Sequence, residues 1–257
     1  MVNSWRWTGA RTMGTSHISS GLPCQDYILC MEIDSVSGSV LAGVVSDGAG
    51  SASHAEVGAK IVCTGFLRAV SEYFRSGGSI DNVSDEMVFD WLDSIRERIN
   101  VFANRKRIRP RDCAATLVAL LVGPRSALIL HVGDGAAVVR IEGSADWIVP
   151  SWPFHGEYAS TTAFVTDEPI PSPSVVRLPV RLDRIALFSD GLERLVLDHS
   201  NRTAYGPFFN RIIAPVATSI VGGSDCHLSK LLQEYLESKA ICDRTDDDKS
   251  LVLGVRL

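Results

Sequence analysis

No C-x-x-C pair occurs in the sequence. Its six cysteines stand at 24, 30, 63, 113, 226 and 242, a spacing that argues against a zinc site or a disulfide framework and suits a reducing cytoplasm. A basic excess is also missing, with 25 Lys and Arg against 30 Asp and Glu. That balance disfavours a nucleic-acid binder. The longest apolar run, CAATLVALLVG, is too short to span a bilayer and ends at Pro124 and Arg125. The opening MVNSWRWTGARTMG has no basic segment leading into an apolar one, so no signal peptide is read there. The expectation is a cytoplasmic protein without nucleic-acid or membrane partners. Several catalytic signatures are absent too: G-x-x-x-x-G-K-[ST], G-x-S-x-G and H-E-x-x-H. GDGAAV at 133–138 starts like a dinucleotide fingerprint but lacks the third glycine and a following helix.

With 257 residues, 46% of them hydrophobic, the chain can bury a sizeable core, and no composition break divides it. One domain over 1–257 is expected. Two stretches carry helical period: SASHAEVGAKIVCTGFLRAVSEYF, with Ala55, Ala59, Val62, Phe66, Ala69 and Tyr73, and DEMVFDWLDSIRERINVFANR, with Val88, Trp91, Ile95, Ile99 and Phe102. Ser76-Gly77-Gly78-Ser79 separates them and predicts an antiparallel pair. A third helix is read over 228–241. Short apolar runs predict strands at YILCMEI, SVLAGVVS, ATLVALLV, ALILHVG, AAVVRIE, RIALFS and SLVLGVRL, and 143–180 reads as irregular loops. Strands cluster with strands and do not alternate with helices, which points to a layered α+β fold. The basic cluster Arg105, Lys106, Arg107, Arg109 and Arg111 reads as a solvated helix end, with a docking patch for an acidic or phosphorylated partner as the alternative.

Four times an apolar run meets aspartate at its end: LAGVVS at Asp47-Gly48, ALILHVG at Asp134-Gly135, IALFS at Asp190-Gly191, and Asp246-Asp247-Asp248 just before SLVLGVRL. One Asp-Gly is an ordinary turn signal. Several at one sheet edge would crowd carboxylates until they repelled or held protons. A hard divalent cation such as Mg²⁺ or Mn²⁺ removes that repulsion, and two such ions make a site that activates water for phosphoryl transfer. The chemistry points to a metal-dependent phosphohydrolase.

In order along the chain, CQD (24–26), VVSDGAG, DCAATL (112–117), VGDGAAVV, FSDGLE and DDDKSLVL resemble the landmarks of the type-2C metal-dependent serine/threonine protein phosphatases. GTSH…GLPCQD and EYASTTAF look like a bacterial subgroup. The resemblance implies a four-layer α-β-β-α sandwich, a central antiparallel β-sandwich flanked by helix pairs. It implies two Mg²⁺ or Mn²⁺ ions, bridged by Asp47 with the Gly48 carbonyl, Asp190 and Asp247 completing the shell. Asp134 with Asp190 would hold a third, and Asp26 would orient water. Its substrate would be a phosphorylated protein, such as a cognate serine/threonine kinase or that kinase's targets.

The chain departs from the family pattern in four places. Gln25 stands where a Glu is common. Asp248 stands where Asn is usual. No phosphate-gripping arginine is evident, which leaves His17 as the candidate phosphate contact, with a structural hydrogen bond as its rival. Ala49 replaces the histidine sometimes found after the metal loop; many bacterial members also lack it, which leaves a metal-bound water as a candidate proton donor, with His54, a few residues on, as the weaker one. A pseudophosphatase that binds phosphoprotein without turnover is the alternative reading, and a hydrolase of small phosphate esters would share the same site.

Overall fold

A computed structural model describes residues 4–154, 162–168 and 173–257. In chain order its elements are β1 (Trp5–Thr12), α1 (Thr15–Ser20), β2 (Tyr27–Ile33), β3 (Val40–Ser46), α2 (Ala55–Arg75), α3 (Asp85–Lys106), β4 (Leu117–Val122), β5 (Ala127–Val132), β6 (Ala136–Ile141), β7 (Trp147–Ser151) and β8 (Ser174–Leu178). There follow β9 (Leu182–Phe188), α4 (Asp190–Val196), β10 (Leu197–Asp198), β11 (Thr203–Ala204), α5 (Gly206–Thr218), β12 (Gly223–Ser224), α6 (Cys226–Leu236), α7 (Lys239–Cys242) and β13 (Lys249–Arg256). The strands form a six-stranded sheet, β12-β1-β13-β9-β6-β7, and a five-stranded sheet, β2-β3-β4-β5-β8. Pairing within both is antiparallel, except that β12 runs parallel to β1.

The two-residue period of the strands divides the core into three layers. Val40, Ala42 and Val44 of β3 face α2 and α3, while Leu41 and Val45 face the other sheet. In β13, Leu251, Leu253 and Val255 pack towards α5 and α6, while Val252 faces the space between the sheets. The order is helix, sheet, sheet, helix: an α+β four-layer sandwich, as the resemblance implies. With both faces covered, β3, β4 and β5 are buried at every residue, which is why they read as continuous apolar runs.

The helix pair forms as its period predicts. Phe66 and Tyr73 of α2 meet Trp91 of α3 edge-on, with ring centroids 6.1 and 5.8 Å apart. Ser84 caps α3 by accepting from the Met87 N–H at 3.2 Å. Asp85 and Glu86 lie in its first turn and Arg105 and Lys106 in its last, the arrangement that the helix dipole favours. The basic cluster therefore continues out of a helix C-terminus, and all five of its side chains are exposed. Arg109 pairs with Asp112 at 2.9 Å.

Several elements differ from the sequence reading. β1 was not expected, because WRWTGART mixes Arg and Thr with apolar residues; it buries Trp5, Thr8, Ala10 and Thr12. β7 and β8 lie within 143–180, where loops were read; both are edge strands with half-buried or exposed positions, so their apolar signal is diluted. α5 was missed because Pro207 opens it and Pro215 lies inside it. The helix read over 228–241 is two helices, broken where Ser238 adopts an extended ψ of 150°.

Candidate active site and metal centre

The aspartates meet because of strand direction. Asp47 follows β3, and Asp26 precedes β2, its antiparallel neighbour. Asp190 follows β9, and Asp247 precedes β13, again its antiparallel neighbour. Asp134 lies in the β5–β6 turn, which crosses from one sheet to the other. All five therefore sit at one end of the sandwich.

Asp47 is held by its backbone. Its N–H donates to Thr116 Oγ1 at 3.0 Å, and its carbonyl accepts from the Thr116 N–H at 2.8 Å. The Gly48 N–H donates to the Gln25 carbonyl at 3.2 Å, and no hydrogen bond to the Gly48 carbonyl occurs among the described residues. A Cβ at position 48 would come within 2.5 Å of the Ala55 carbonyl oxygen, so glycine is needed there to let the start of α2 close over the loop.

Carboxylate oxygens of Asp47, Asp134 and Asp190 all lie within 4.8 Å of one another. Burial, reinforced by the charges of Asp26, Asp190, Asp247 and Asp134, holds the Asp47 carboxyl far above the usual carboxylate range. Burial, with Asp134 and Asp247 as its strongest neighbours, does the same to Asp190. Asp247 is raised too, by burial. Asp26 is buried, accepts from Ser189 Oγ at 2.7 Å, and is pushed up to about 6 by burial. This is the electrostatic state that a divalent cation relieves. An all-oxygen donor set, with the Gly48 carbonyl beside it, suits Mg²⁺ or Mn²⁺. The residues fit the metal.

A cleft of about 310 Å³ opens on this cluster and is lined by Asp134, Asp190, Asp246 and Asp247, with Arg194 and Arg244 also on its wall. Both arginines are exposed and were not singled out in the sequence, since neither stands in a motif. Lys249 was missed for the opposite reason: lysine in an apolar run reads as a strand end. It is fully buried, and its Nζ donates to the Asp247 carbonyl at 3.0 Å, beneath the acidic loop.

His17 lies on α1. Its Nδ1 is 2.9 Å from Asp248 Oδ2, so the structural hydrogen bond weighed against its phosphate role is present. Asp248 is 1% exposed and also accepts from the backbone N–H groups of Gly14 at 2.6 Å and Gln25 at 2.5 Å. Its oxygens are thereby committed to the chain, which separates it from Asp247. His54 caps the start of α2, its Nδ1 3.0 Å from Ser53 Oγ and its ring against Phe102. Residues 157–161 of the EYASTTAF stretch lie outside the described residues.

The profile of the protein phosphatase 2C family matches residues 13–237. The chain is 35% identical over 259 residues to serine/threonine-protein phosphatase 3 of Escherichia coli strain K12, covering 98% of each sequence. Among solved structures it is similar to serine/threonine phosphatase Stp1 from Staphylococcus aureus, with a TM-score of 0.64, 17% identity and coverage of 100% of this chain and 96% of that one. It is likewise similar to the catalytic domain of the serine/threonine protein phosphatase PstP in complex with two manganese ions, with a TM-score of 0.62, 16% identity and coverage of 98% and 97%. The family profile and the full-length relative together settle the assignment: this chain belongs to the protein phosphatase 2C family.

Proposed function

We propose that this chain is a protein serine/threonine phosphatase that hydrolyses phosphoserine and phosphothreonine at a Mg²⁺ or Mn²⁺ centre, as one catalytic domain over 1–257. The observation that carries the reading is the convergence of Asp47, Asp134 and Asp190 oxygens within 4.8 Å in a member of this family. Asp47, the Gly48 carbonyl, Asp134, Asp190 and Asp247 hold the ions. Two ions held there would supply the charge that activates water and offsets the phosphoryl oxygens. Asp26 lies against Asp47 and orients the attacking water. His17, held by Asp248, is the phosphate contact in this reading. Arg194 and Arg244 offer cations to a phosphorylated segment entering the cleft.

The substrates in this reading are phosphorylated proteins, including a serine/threonine kinase or that kinase's targets. A phosphoprotein-binding role without turnover has less support, because the three converging carboxylates are all retained. The test is turnover of a phosphothreonine peptide with Mn²⁺, with EDTA, and in Asp190→Ala. We expect activity only in the first condition; equal rates in all three would overturn the reading.

A further inference from the structure

Ala49, directly after Asp47-Gly48, has no side-chain proton to give, and its N–H is spent on the Ala114 carbonyl at 2.9 Å. A serine or threonine alkoxide is a poor leaving group and needs a proton. Most of the described imidazoles are already engaged elsewhere. His54 caps α2. His131 is buried between the sheets, its Nδ1 2.8 Å from Ser151 Oγ. His199 pairs with Glu193 at 3.0 Å, and His227 lies in the first turn of α6.

We propose that His17 and Asp248 form a catalytic dyad in which His17 Nε2 delivers the proton to the departing serine or threonine oxygen. The inference rests on the phosphatase reading above. Its first support is orientation. Asp248 is locked by two backbone donors, so its contact with Nδ1 fixes the imidazole. The ring proton on Nδ1 faces the carboxylate, and Nε2 becomes the nitrogen that exchanges a proton. Nε2 has no hydrogen-bond partner among the described residues, and the His17 side chain retains 13% exposure.

The second support is position. The Ser16 N–H and Oγ both donate to the Asp246 carbonyl, at 3.0 and 2.7 Å. Gly14 lies so close to the same segment that a Cβ there would be 2.3 Å from the Asp246 carbonyl oxygen. The turn bearing His17 is thus fastened to the segment bearing Asp247.

The step balances. The water oxygen forms the new P–O bond and yields a proton to solvent. The ester P–O bond breaks, and its electron pair stays on the serine or threonine oxygen. That oxygen takes the Nε2 proton and leaves as a hydroxyl. The neutral imidazole regains a proton from solvent. In this scheme His17 is a catalytic residue and Asp248 a positioning residue.

The test compares two esters at saturating Mn²⁺: a phosphothreonine peptide and p-nitrophenyl phosphate, whose leaving group departs without a proton. His17→Gln should lower kcat on the peptide by about 100-fold or more, the range of general acid catalysis, and the loss on the aryl ester should be much smaller. Asp248→Asn should give the same selectivity with a smaller loss. Independently of turnover, ¹⁵N NMR of the metal-free protein should find His17 protonated at Nδ1, and Asp248→Asn should abolish that preference. Equal losses on both esters, an unchanged peptide rate, or an unprotonated Nδ1 would each overturn the dyad. Absent Mn²⁺-dependent peptide turnover in the wild type sinks the phosphatase reading instead, while the NMR result still decides the dyad's geometry.

Discussion

His131 is 4% exposed, and Ser151 Oγ donates onward to Ser174 Oγ at 2.9 Å, which leaves Ser151 to accept from His131 Nδ1. Burial pushes its pKa down from 6.5 to about 4. The neutral ring therefore stabilises the fold above pH 6.5, and that contribution is lost as pH falls through 4. The loss is about 3 kcal/mol relative to a residue that does not titrate. Raised carboxylates such as Asp26 act in the opposite sense over part of this window, so the measurement must be a difference. Urea unfolding of wild type and His131→Gln should diverge between pH 7 and 4.5, with the wild type losing more. At this scale the sequence was partly legible. Asp47, Asp134 and Asp190 stood out because each ends an apolar run, a chemically conspicuous place for a carboxylate. The roles of Asp248 and Lys249 were not legible, because they depend on backbone groups and burial contributed by distant segments.

At the scale of elements, the start of α2 and the metal loop share one tight contact at Gly48. A Cβ at this position has only 2.5 Å to the Ala55 carbonyl oxygen, so Gly48→Ala must push the helix start and Asp47 apart. We expect at least a tenfold loss of peptide turnover, since misplacement of about 1 Å can cost ~100-fold. Mn²⁺ affinity measured by calorimetry should weaken in parallel. Ile95→Ala provides the contrast. Ile95 is fully buried between α2 and α3, and truncation should cost about 2–5 kcal/mol in urea unfolding with little change in Mn²⁺ affinity. The helix pair and the central strands were legible because burial on one stripe or on both faces leaves a periodic or continuous apolar pattern. β1, β7 and β8 were not, because a strand with one wet face or an open edge is stabilised by pairing, which its own residues do not advertise.

At the scale of the whole molecule, the acidic end trades stability for metal binding. Burial and mutual repulsion raise Asp47, Asp190 and Asp247 together. Neutralising one of them should make the metal-free protein more stable. We expect Asp190→Asn with chelator to melt about 2–4 °C above the wild type if about 1 kcal/mol of repulsion is removed. Metal at about 100 times its Kd should add about 2.7 kcal/mol to the wild type and much less to the variant. Calorimetric scans with Mn²⁺ and with EDTA check both signs; a lower melting point for the metal-free variant would contradict the repulsion argument.

β13 is the last of the described elements, yet it lies between β1 and β9 and follows Asp247 directly in the chain. During synthesis, β1 and β9 must therefore wait with long unpaired edges while nearly every other element has emerged. Closure of this sheet joins segments more than 230 residues apart, a slow kind of pairing that exposes sticky intermediates. The acidic turn at 246–248 arrives with the same strand. A chain cut short before residue 246 thus lacks both the strand between β1 and β9 and Asp247, and is left with an open groove in its core and no means of assembling the phosphatase centre.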